Sequence, residues 1–477
     1  MNARPDIPAH AAATTGPVGS RAVRDQAAGV DGIGLGASIA EGGLDASDVA
    51  ARAVARARDP RARGVFTTVT DARAAAQARA SRERHRAAAP RGPLDGVPVA
   101  YKDLFDVEGA VTTAGSRTRS ANPAATADAA VVGLLTAAGA VCVGKTNLSE
   151  FAFGGLGTNP AFGTPANPHD RAEPLVPGGS SSGSAVAVAT GVVPIAIGTD
   201  TSGSIRVPAA FCGVIGFKAS DRRYPTAGML PLAPTLDSVG ILATSMRDVL
   251  ATDRILTGPR APHPAPPRQP LLLVPTGELL QDCAPEVRDR FHQALARLAD
   301  RGARIEQHHV PVLDRAQELM DRHGTIVEAE ALALHGHLLR RPPHDDSGVD
   351  PAVLRRLAGF ADAARDVGPV YREMAGLRRQ LRRQLGDALL ACPAVRHTPP
   401  ALAPLLADDA LYDATNRRTL RTTMLLSYLG MPGVSLPLPP PSPVDVPGVG
   451  LLLSAPRNQD DRLLAAALDV ERLLMRP

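Results

Sequence analysis

The chain has 477 residues, of which 44% are hydrophobic and only 3% aromatic, so its core must be aliphatic and rich in alanine. The 52 basic and 48 acidic residues leave a net charge of +4, and no apolar stretch approaches the ~20 residues of a membrane span. These features argue against a strongly basic nucleic-acid-binding protein and a membrane-spanning one, and we expect neither partner.

The predicted elements of the first half alternate between helix and strand. Residues 1–35 are rich in alanine, glycine and proline and predict a disordered tail. Helices are predicted over Leu44–Arg58, with Asp45 or Ser47 as the N-cap, and over Asp71–Arg86. The elements that follow are a strand over Val97–Tyr101, a helix over Ala127–Ala138, a strand over Ala140–Val143, a helix over Ser184–Thr190 and a strand over Val193–Gly198. Such alternation predicts an α/β domain.

The second half continues this pattern around a longer helical region. A strand is predicted over Leu271–Val274, followed by an amphipathic helix that Gly302 closes. The middle segment 310–390 is predicted to be mostly helical. A strand over Gly448–Ser454 and a helix over Asp460–Leu474 complete the chain.

One motif suggests nucleotide binding and is rejected. Gly139–Thr146 matches the phosphate-binding pattern G-x-x-x-x-G-K-[ST]. In that motif a strand precedes the loop, whose backbone N–H groups surround phosphate. Here the four middle residues are themselves apolar and β-prone, so we predict a strand in place of the loop.

The tract Gly178–Ser204 is the most informative part of the chain. Two polar loops rich in glycine and serine flank an apolar segment long enough for one helix and one strand. Glycine lets backbone N–H groups approach a ligand, and serine can act as a nucleophile or a proton relay. The tract therefore predicts a catalytic centre built on backbone.

A serine nucleophile needs a base, and lysine usage suggests which residue supplies it. Lysine occurs only at Lys102, Lys145 and Lys218, around this tract, and all other basic residues are arginine. Arginine replaces lysine as a surface charge but does not readily lose a proton, whereas a desolvated lysine does. His169 lies in a polar Pro-His-Asp turn and is predicted at the surface.

Several separate blocks resemble one family. They are PLDGVPVAYKDLFDV at Pro93–Val107, GKTNLSEFAFG at Gly144–Gly154, the stretch Gly178–Lys218 and GMPGVSLPLP at Gly430–Pro439. In this order they resemble the amidase signature family of serine hydrolases, over roughly residues 40–475. The resemblance implies an α/β fold with a central mixed β-sheet covered on both sides by helices. It also implies one amidase signature domain over 36–477, with a variable, mostly helical segment at about 250–400.

The resemblance also assigns roles to residues. The family uses a Ser-cisSer-Lys triad, in which Lys102 matches the base and Ser180 matches the relay serine that follows a cis peptide bond. Ser204 matches the nucleophile. The matching oxyanion donors are the backbone N–H groups of Thr201, Ser202 and Gly203, together with that of Ser204.

The neighbouring polar residues are expected to support this centre. We expect Asp200 and Arg206 to form an ion pair that holds the loop, and Lys145 and Lys218 to be structural. The remaining serines of the first loop are predicted to cap the following helix, namely Ser181, Ser182 and Ser184. Five residues could line the pocket or pack in the core, namely Phe151, Phe153, Tyr224, Met229 and Leu230.

The resemblance implies an amidohydrolase that cleaves a small carboxylic amide through an acyl-enzyme, with no metal and no organic cofactor. Two alternatives remain: one is a glutamine-hydrolysing amidotransferase component, and the other is a hydrolase of a ureido or carbamoyl amide. A homodimer is possible. No secretory signal is evident, and the four cysteines are far apart with no metal-binding spacing, which predicts free thiols and a cytoplasmic protein.

Overall fold

The computed structural model describes residues 30–258, 270–340, 348–363, 365–438 and 448–475. In these ranges one mixed sheet has the strand order β1-β3-β2-β4-β6-β5-β10-β11-β9-β7-β8. The strands are β1 Phe66–Val69, β2 Pro98–Lys102, β3 Val141–Thr146, β4 Ile195–Asp200, β5 Ile215–Lys218, β6 Ser238–Ala243, β7 Leu271–Thr276, β8 Arg304–His309, β9 Leu389–Pro393, β10 Gly433–Leu438 and β11 Val449–Ser454. Strand β2 runs parallel to both β3 and β4, and β7 runs parallel to both β8 and β9. The other pairs are antiparallel, which confirms the predicted mixed α/β sheet.

The described ranges contain helices from Gly32 to Met475. They are α1 Gly32–Ala40, α2 Ala46–Ala57, α3 Asp71–Arg86, α4 Ala130–Ala137, α5 Ser182–Ala189, α6 Arg206–Cys212, α7 Met246–Thr257, α8 Glu278–Gln281, α9 Pro285–Asp300, α10 Pro311–His323, α11 Ile326–His335, α12 Pro351–Ala363, α13 Gly368–Leu385, α14 Leu402–Ala407, α15 Asp409–Tyr428 and α16 Asp460–Met475. Among the described residues, no helix is both long and apolar enough to cross a membrane.

Both faces of the sheet are buried, and the strands show why. Leu451 and Leu453 of β11 belong to one hydrophobic cluster, with residues of α4, α7, α9 and α16. Leu452, between them, belongs to a second cluster with residues of helices α10 to α15. Because successive side chains of a strand point to opposite faces, an apolar run of this kind is typical of a strand covered on both sides.

The predicted elements agree best where helical signals are strong. Helix α3 has the predicted bounds, and Asp45 caps α2 by accepting the Ser47 N–H at 2.8 Å. Strand β4 begins after Pro194, which has no N–H to donate, and continues to Asp200 because β6 pairs along its whole length. Strand β9 ends the segment 310–390 that is predicted as mostly helical, and β8 lies just before that segment. Pairing with β7 holds both strands in the sheet.

The predicted tail boundary is wrong at its C-terminal end. Residues 1–29 of the tail lie outside the described residues. Helix α1, however, begins at Gly32, and its N-cap Asp31 accepts the Gly34 N–H at 2.9 Å. The buried carboxylate of Asp248 also accepts the Gly32 and Ile33 N–H groups, so a tertiary contact holds a segment whose composition predicts disorder.

The rejected phosphate-binding motif is a strand. Val141–Thr146 forms β3 between β1 and β2, which confirms that no loop stands there. Lys145 is fully buried, with its Nζ 2.6 Å from an Asp103 carboxylate oxygen and 2.7 Å from the Thr112 hydroxyl. Lys145 is therefore structural, as predicted.

Candidate active site

Two parallel strands end at the same edge of the sheet and bring the candidate residues together. Lys102 is the last residue of β2, and Thr199 and Asp200 end the adjacent parallel strand β4. Carboxyl ends of neighbouring parallel strands form the usual ligand-binding edge of an α/β sheet. The loop that follows β4 carries Ser204 at this same edge.

Lys102 is a buried amine without a counter-ion in the described residues. Its Nζ donates to Ser180 Oγ at 2.7 Å and to Thr199 Oγ1 at 2.8 Å. The side chain has no exposed surface. Burial lowers the pKa of Lys102 to about 7, and the carboxylates of Asp200 and Asp237 only partly oppose this shift. Near neutral pH this amine therefore can exchange a proton with the Ser180 hydroxyl.

The loop before α5 holds Ser180 and contacts the loop of Ser204. The Gly179–Ser180 peptide bond is cis, as the resemblance implies. The Ser180 carbonyl accepts the Ser149 N–H at 3.1 Å, and the Ser181 N–H donates to the Ser204 carbonyl at 3.2 Å. Ser180 is fully buried and Ser204 is only 3% exposed. The backbone of Ser204 is therefore hydrogen-bonded to the loop whose Ser180 contacts Lys102.

Asp200 organises the loop that carries Ser204. Its carboxylate forms the predicted ion pair with Arg206, at 2.8 Å, and both side chains are fully buried. Burial alone would raise the pKa of Asp200, but Arg206, Lys218 and the Ile205 N–H together outweigh it and the pKa is lowered. Asp200 also accepts the Gly203 N–H at 2.8 Å and the Ile205 N–H at 3.1 Å. Since the Gly203 N–H is already engaged here, its expected role as an oxyanion donor does not fit this state of the loop.

The other residues of this loop are held from outside the tract. The Thr201 hydroxyl donates to an Asp237 carboxylate oxygen at 2.6 Å. The Ser202 carbonyl accepts the Thr423 hydroxyl of α15 at 2.6 Å. A Cβ on Gly203 would lie 2.2 Å from the same hydroxyl oxygen, so α15 leaves room for glycine alone. Helix α15 therefore positions the Ser204 loop.

The prediction that the remaining serines cap α5 is wrong. The N-cap Ser181 makes no side-chain capping bond, and its hydroxyl donates to the Thr199 carbonyl at 3.3 Å. The Ser184 hydroxyl shares a hydrogen bond of 2.6 Å with Thr146, and the Ser182 hydroxyl has no partner in the described residues. Buried strands lie close enough to take these hydroxyls away from the helix end.

His169 and Lys218 are both more buried than a surface group. Gly213 lies so near His169 that a Cβ there would be 2.9 Å from its Nε2. His169 is half-buried, and this burial lowers its pKa. It is therefore less exposed than the predicted surface position implies. Lys218 is 2% exposed, and its Nζ donates to the Ala219 carbonyl at 3.1 Å, which fits the predicted structural role.

A pocket of about 340 Å³ lies beside this loop, with Ser202 in its lining. The rest of the lining comes from residues 152–154, from side chains of α10, α11, α12 and α15, and from Leu232, Thr325 and Arg365. Of the five residues suggested by sequence, only Phe153 lines it. Tyr224 packs edge-on against Phe217 in the core, and Phe151 and Leu230 line a separate pocket.

Four residues that shape the site were not predicted from sequence, namely Thr199, Asp237, Arg356 and Thr423. A signal existed for Thr199, a polar side chain at the end of an otherwise apolar strand beside Asp200. The other three are far from the tract in sequence, and only packing brings them close. Within the described ranges, no group of three or more His, Cys, Asp or Glu side chains could hold a metal ion.

Comparison with known proteins places this geometry in a family. The family model described as Amidase matches residues 49–464. A 2-amino-5-chloromuconic acid deaminase of Comamonas testosteroni is 34% identical over 391 residues, 80% of this chain and 82% of that protein. A glutamyl-tRNA(Gln) amidotransferase component of Cupriavidus metallidurans is 46% identical over 211 residues, 44% of this chain and 42% of that protein. A crystal structure of an amidase aligns with a TM-score of 0.79 at 32% identity, over 93% of this chain and 100% of that one. The motifs, the sheet and these matches agree, and this chain belongs to the amidase signature family.

Proposed function

We propose that this amidase hydrolyses a carboxylic amide through an acyl-enzyme on Ser204, with Ser180 as proton relay and Lys102 as base. The hydrogen bond of 2.7 Å between the buried Lys102 amine and the Ser180 hydroxyl carries the proposal. A serine hydroxyl becomes a useful nucleophile when a base takes its proton. A lysine with a pKa of about 7 is suited to that work at neutral pH.

The reaction proceeds in two halves. Neutral Lys102 takes the Ser180 proton while Ser180 takes the Ser204 proton, and Ser204 Oγ attacks the amide carbonyl. The proton then returns through Ser180 to the leaving nitrogen, the C–N bond breaks, and ammonia or an amine departs. A water molecule attacks the acyl-enzyme with the same proton path, which releases the acid and restores Ser204.

Backbone N–H groups of the Ser204 loop stabilise the negative oxygen that forms during attack. Because Asp200 already accepts the Gly203 N–H, we assign this role to Thr201, Ser202 and Ser204. One such donor typically lowers the barrier by about 3 kcal/mol. The hydrogen bond from Thr423 to the Ser202 carbonyl supports this geometry.

A glutamine-hydrolysing component of an amidotransferase is the second candidate. The 46% identity to the amidotransferase protein over 211 residues favours it, since this is the higher identity of the two relatives. The 34% identical deaminase, however, matches 80% of this chain. Release of ammonia from glutamine and co-purification with a second protein chain would favour the amidotransferase.

Replacement of the nucleophile tests the proposal. Ser204→Ala should lower ammonia release by about 10⁴-fold or more and abolish labelling by a fluorophosphonate probe, with an unchanged melting temperature. The assay uses a panel of aliphatic, aryl, ureido and carbamoyl amides and glutamine. Ser182→Ala is the matched control, because its buried hydroxyl has no partner in the described residues and its loss should leave turnover intact. A folded Ser204→Ala protein that keeps its activity would overturn the proposal.

We also propose that residues 36–477 act as one domain on a small-molecule amide. One sheet contains strands from Phe66–Val69 to Val449–Ser454, which supports this. The homodimer and the cytoplasmic location stay predictions. Sedimentation tests the homodimer, and cell fractionation tests the cytoplasmic location.

A further inference from the structure

The side-chain amide of Asn416, on α15, lies in the wall of the pocket beside Ser202. Asn416 is only 6% exposed, and it lines this pocket. Its Oδ1 accepts the Gly155 N–H at 2.7 Å. Because a backbone N–H needs an acceptor, this bond fixes which atom of the amide is the oxygen, and the two N–H bonds of Nδ2 point away from Gly155.

Asn416 Nδ2 has no hydrogen-bond acceptor among the described residues. Other side chains of the lining also have atoms without a partner in the described ranges, but those atoms are buried. They are Nε and Nη1 of Arg356, Oδ1 of Asp413 and Oε1 of Gln317. The Asn416 nitrogen is not one of these buried atoms, so it keeps accessible surface in the pocket. Nδ2 is therefore a donor that a bound molecule can reach.

The position of Asn416 along α15 places this donor away from the nucleophile loop. Thr423, which donates to the Ser202 carbonyl at 2.6 Å, follows Asn416 by seven residues. Seven residues make about two turns of helix, so both side chains lie on one face of α15, about 10 Å apart along its axis. Leu420 and Met424 of α15 also line the pocket. The pocket thus has the Ser202 loop at one end, apolar side chains along α15, and the Asn416 donor at the other end.

The charged side chains of the lining do not favour a ligand of one sign. Three acids and four arginines occur together in it. Asp321 and Arg421 form an ion pair at 3.1 Å, and Glu328 accepts the Thr325 N–H at 2.6 Å. The Nη2 group of Arg356 donates to the Phe153 carbonyl. A neutral polar group fits this mixed lining, because it needs no counter-charge.

Gly154 leaves space beside the Asn416 amide. A Cβ on Gly154, which also lines the pocket, would lie 3.6 Å from Asn416 Oδ1 and 3.5 Å from both Nη1 and Nη2 of Arg356. A side chain at this position would therefore occupy the space next to the amide. Glycine keeps that space open to a group of a bound molecule.

We propose that Asn416 determines substrate specificity by donating a hydrogen bond to a neutral carbonyl oxygen in the acyl part of the substrate, several bonds from the scissile amide. This inference rests on the proposed function, because it takes the Ser202 end of the pocket as the reacting end. The apolar chain between the two carbonyl groups lies along Leu420 and Met424. A methylene in place of the second carbonyl would displace water from the Asn416 donor and leave it unpaired, which lowers affinity.

The test compares amides that differ only by a carbonyl in place of a methylene. One pair is 6-oxoheptanamide and heptanamide, and a longer pair is 8-oxononanamide and nonanamide. In the pair whose length reaches Asn416, wild-type kcat/KM should be about three- to tenfold higher for the oxoamide, the effect of one neutral hydrogen bond. A ratio of kcat/KM values measured on one enzyme sample does not depend on the fraction of that sample that is folded.

Asn416→Asp should remove this preference. Aspartate keeps an acceptor for the Gly155 N–H but, when ionised, has no N–H or O–H to donate, so the ratio should fall to one or below. Asn122→Asp makes the same chemical change at an exposed site and should keep the wild-type ratio.

Binding to Ser204→Ala gives a readout that does not need turnover. Calorimetry should show about three- to tenfold tighter binding of the oxoamide, and no such difference when Asn416→Asp is added. Equal values for the two members of both pairs, an unchanged ratio in Asn416→Asp, or no binding of any of these amides would overturn this inference. Retained turnover in Ser204→Ala would instead overturn the proposed function, so the two failures are distinguishable.

Discussion

The floor and the wall of the pocket are built in different ways. We call Lys102, Ser180 and the loop 199–206 the floor; of these residues Ser202 lines the pocket, and most of their polar groups are buried and hydrogen-bonded. The wall consists of side chains from α10, α11, α12 and α15, and it keeps polar atoms without protein partners in the described ranges. Where every polar group is bonded to another, few residue types are tolerated. Where polar atoms have no protein partner, residues can be replaced to suit a different substrate.

This contrast separates chemistry from selectivity. The floor residues lie in a few short glycine- and serine-rich loops and strand ends, so their sequence is a recognisable motif. The wall is dominated by helix side chains that meet only in the folded chain. We therefore expect substitutions in the floor to lower the turnover of every amide. Substitutions in the wall should instead change which amides have the highest kcat/KM.

After the loss expected for Ser204→Ala, the strongest loss of activity in the floor is expected at the base. Lys102→Met keeps the volume and removes the amine, so kcat should fall by about 10³- to 10⁴-fold for every amide. The variant should remain folded, because a buried amine without a counter-ion in the described residues is replaced by an apolar side chain. Kinetics and thermal melting check both statements.

Lys145→Met is the matched control on the neighbouring strand. It leaves the fully buried Asp103 carboxylate without its ion-pair partner, which should destabilise the protein by about 3–5 kcal/mol. Chemical denaturation measures this. Equal loss of stability in both lysine variants would break the distinction between a catalytic and a structural buried lysine.

The pH dependence of turnover sharpens the same distinction. Only neutral Lys102 can accept a proton, and its pKa is lowered to about 7 by burial. As the pH falls below that value, kcat/KM should fall about tenfold per pH unit, and above it the rate should level off. The residual activity of Lys102→Met should lack this limb. A flat profile of the wild type across this range would argue against lysine as the base.

A modest effect is expected in the wall. Met424 of α15 lines the pocket, so Met424→Ala should enlarge it and shift kcat/KM by about tenfold or less, in favour of amides with bulkier acyl groups. A panel of amides of increasing acyl size measures the shift. A large and uniform loss of turnover would place Met424 with the floor instead.

Residues that lie within short, recognisable sequence motifs were the most predictable from the sequence. Lys102, Ser180 and Ser204 lie within recognisable motifs, and β2 and β4 bring those motifs to one edge. Predictions failed where a distant group competed for a polar atom. The Ser181 and Ser184 hydroxyls bond to neighbouring strands instead of capping α5, and Asp200 takes the Gly203 N–H.

The amino-acid motifs were enough to identify the family, the mixed α/β class and the serines and lysine on which the proposed chemistry depends. They carry this information because backbone loops with those contacts accept few other residues. The depressed pKa of Lys102, which comes from burial, and the setting of Arg356 beside Gly154 and Phe153 became visible only in the folded chain. Desolvation and contacts between distant helices arise from packing, and no local pattern encodes them.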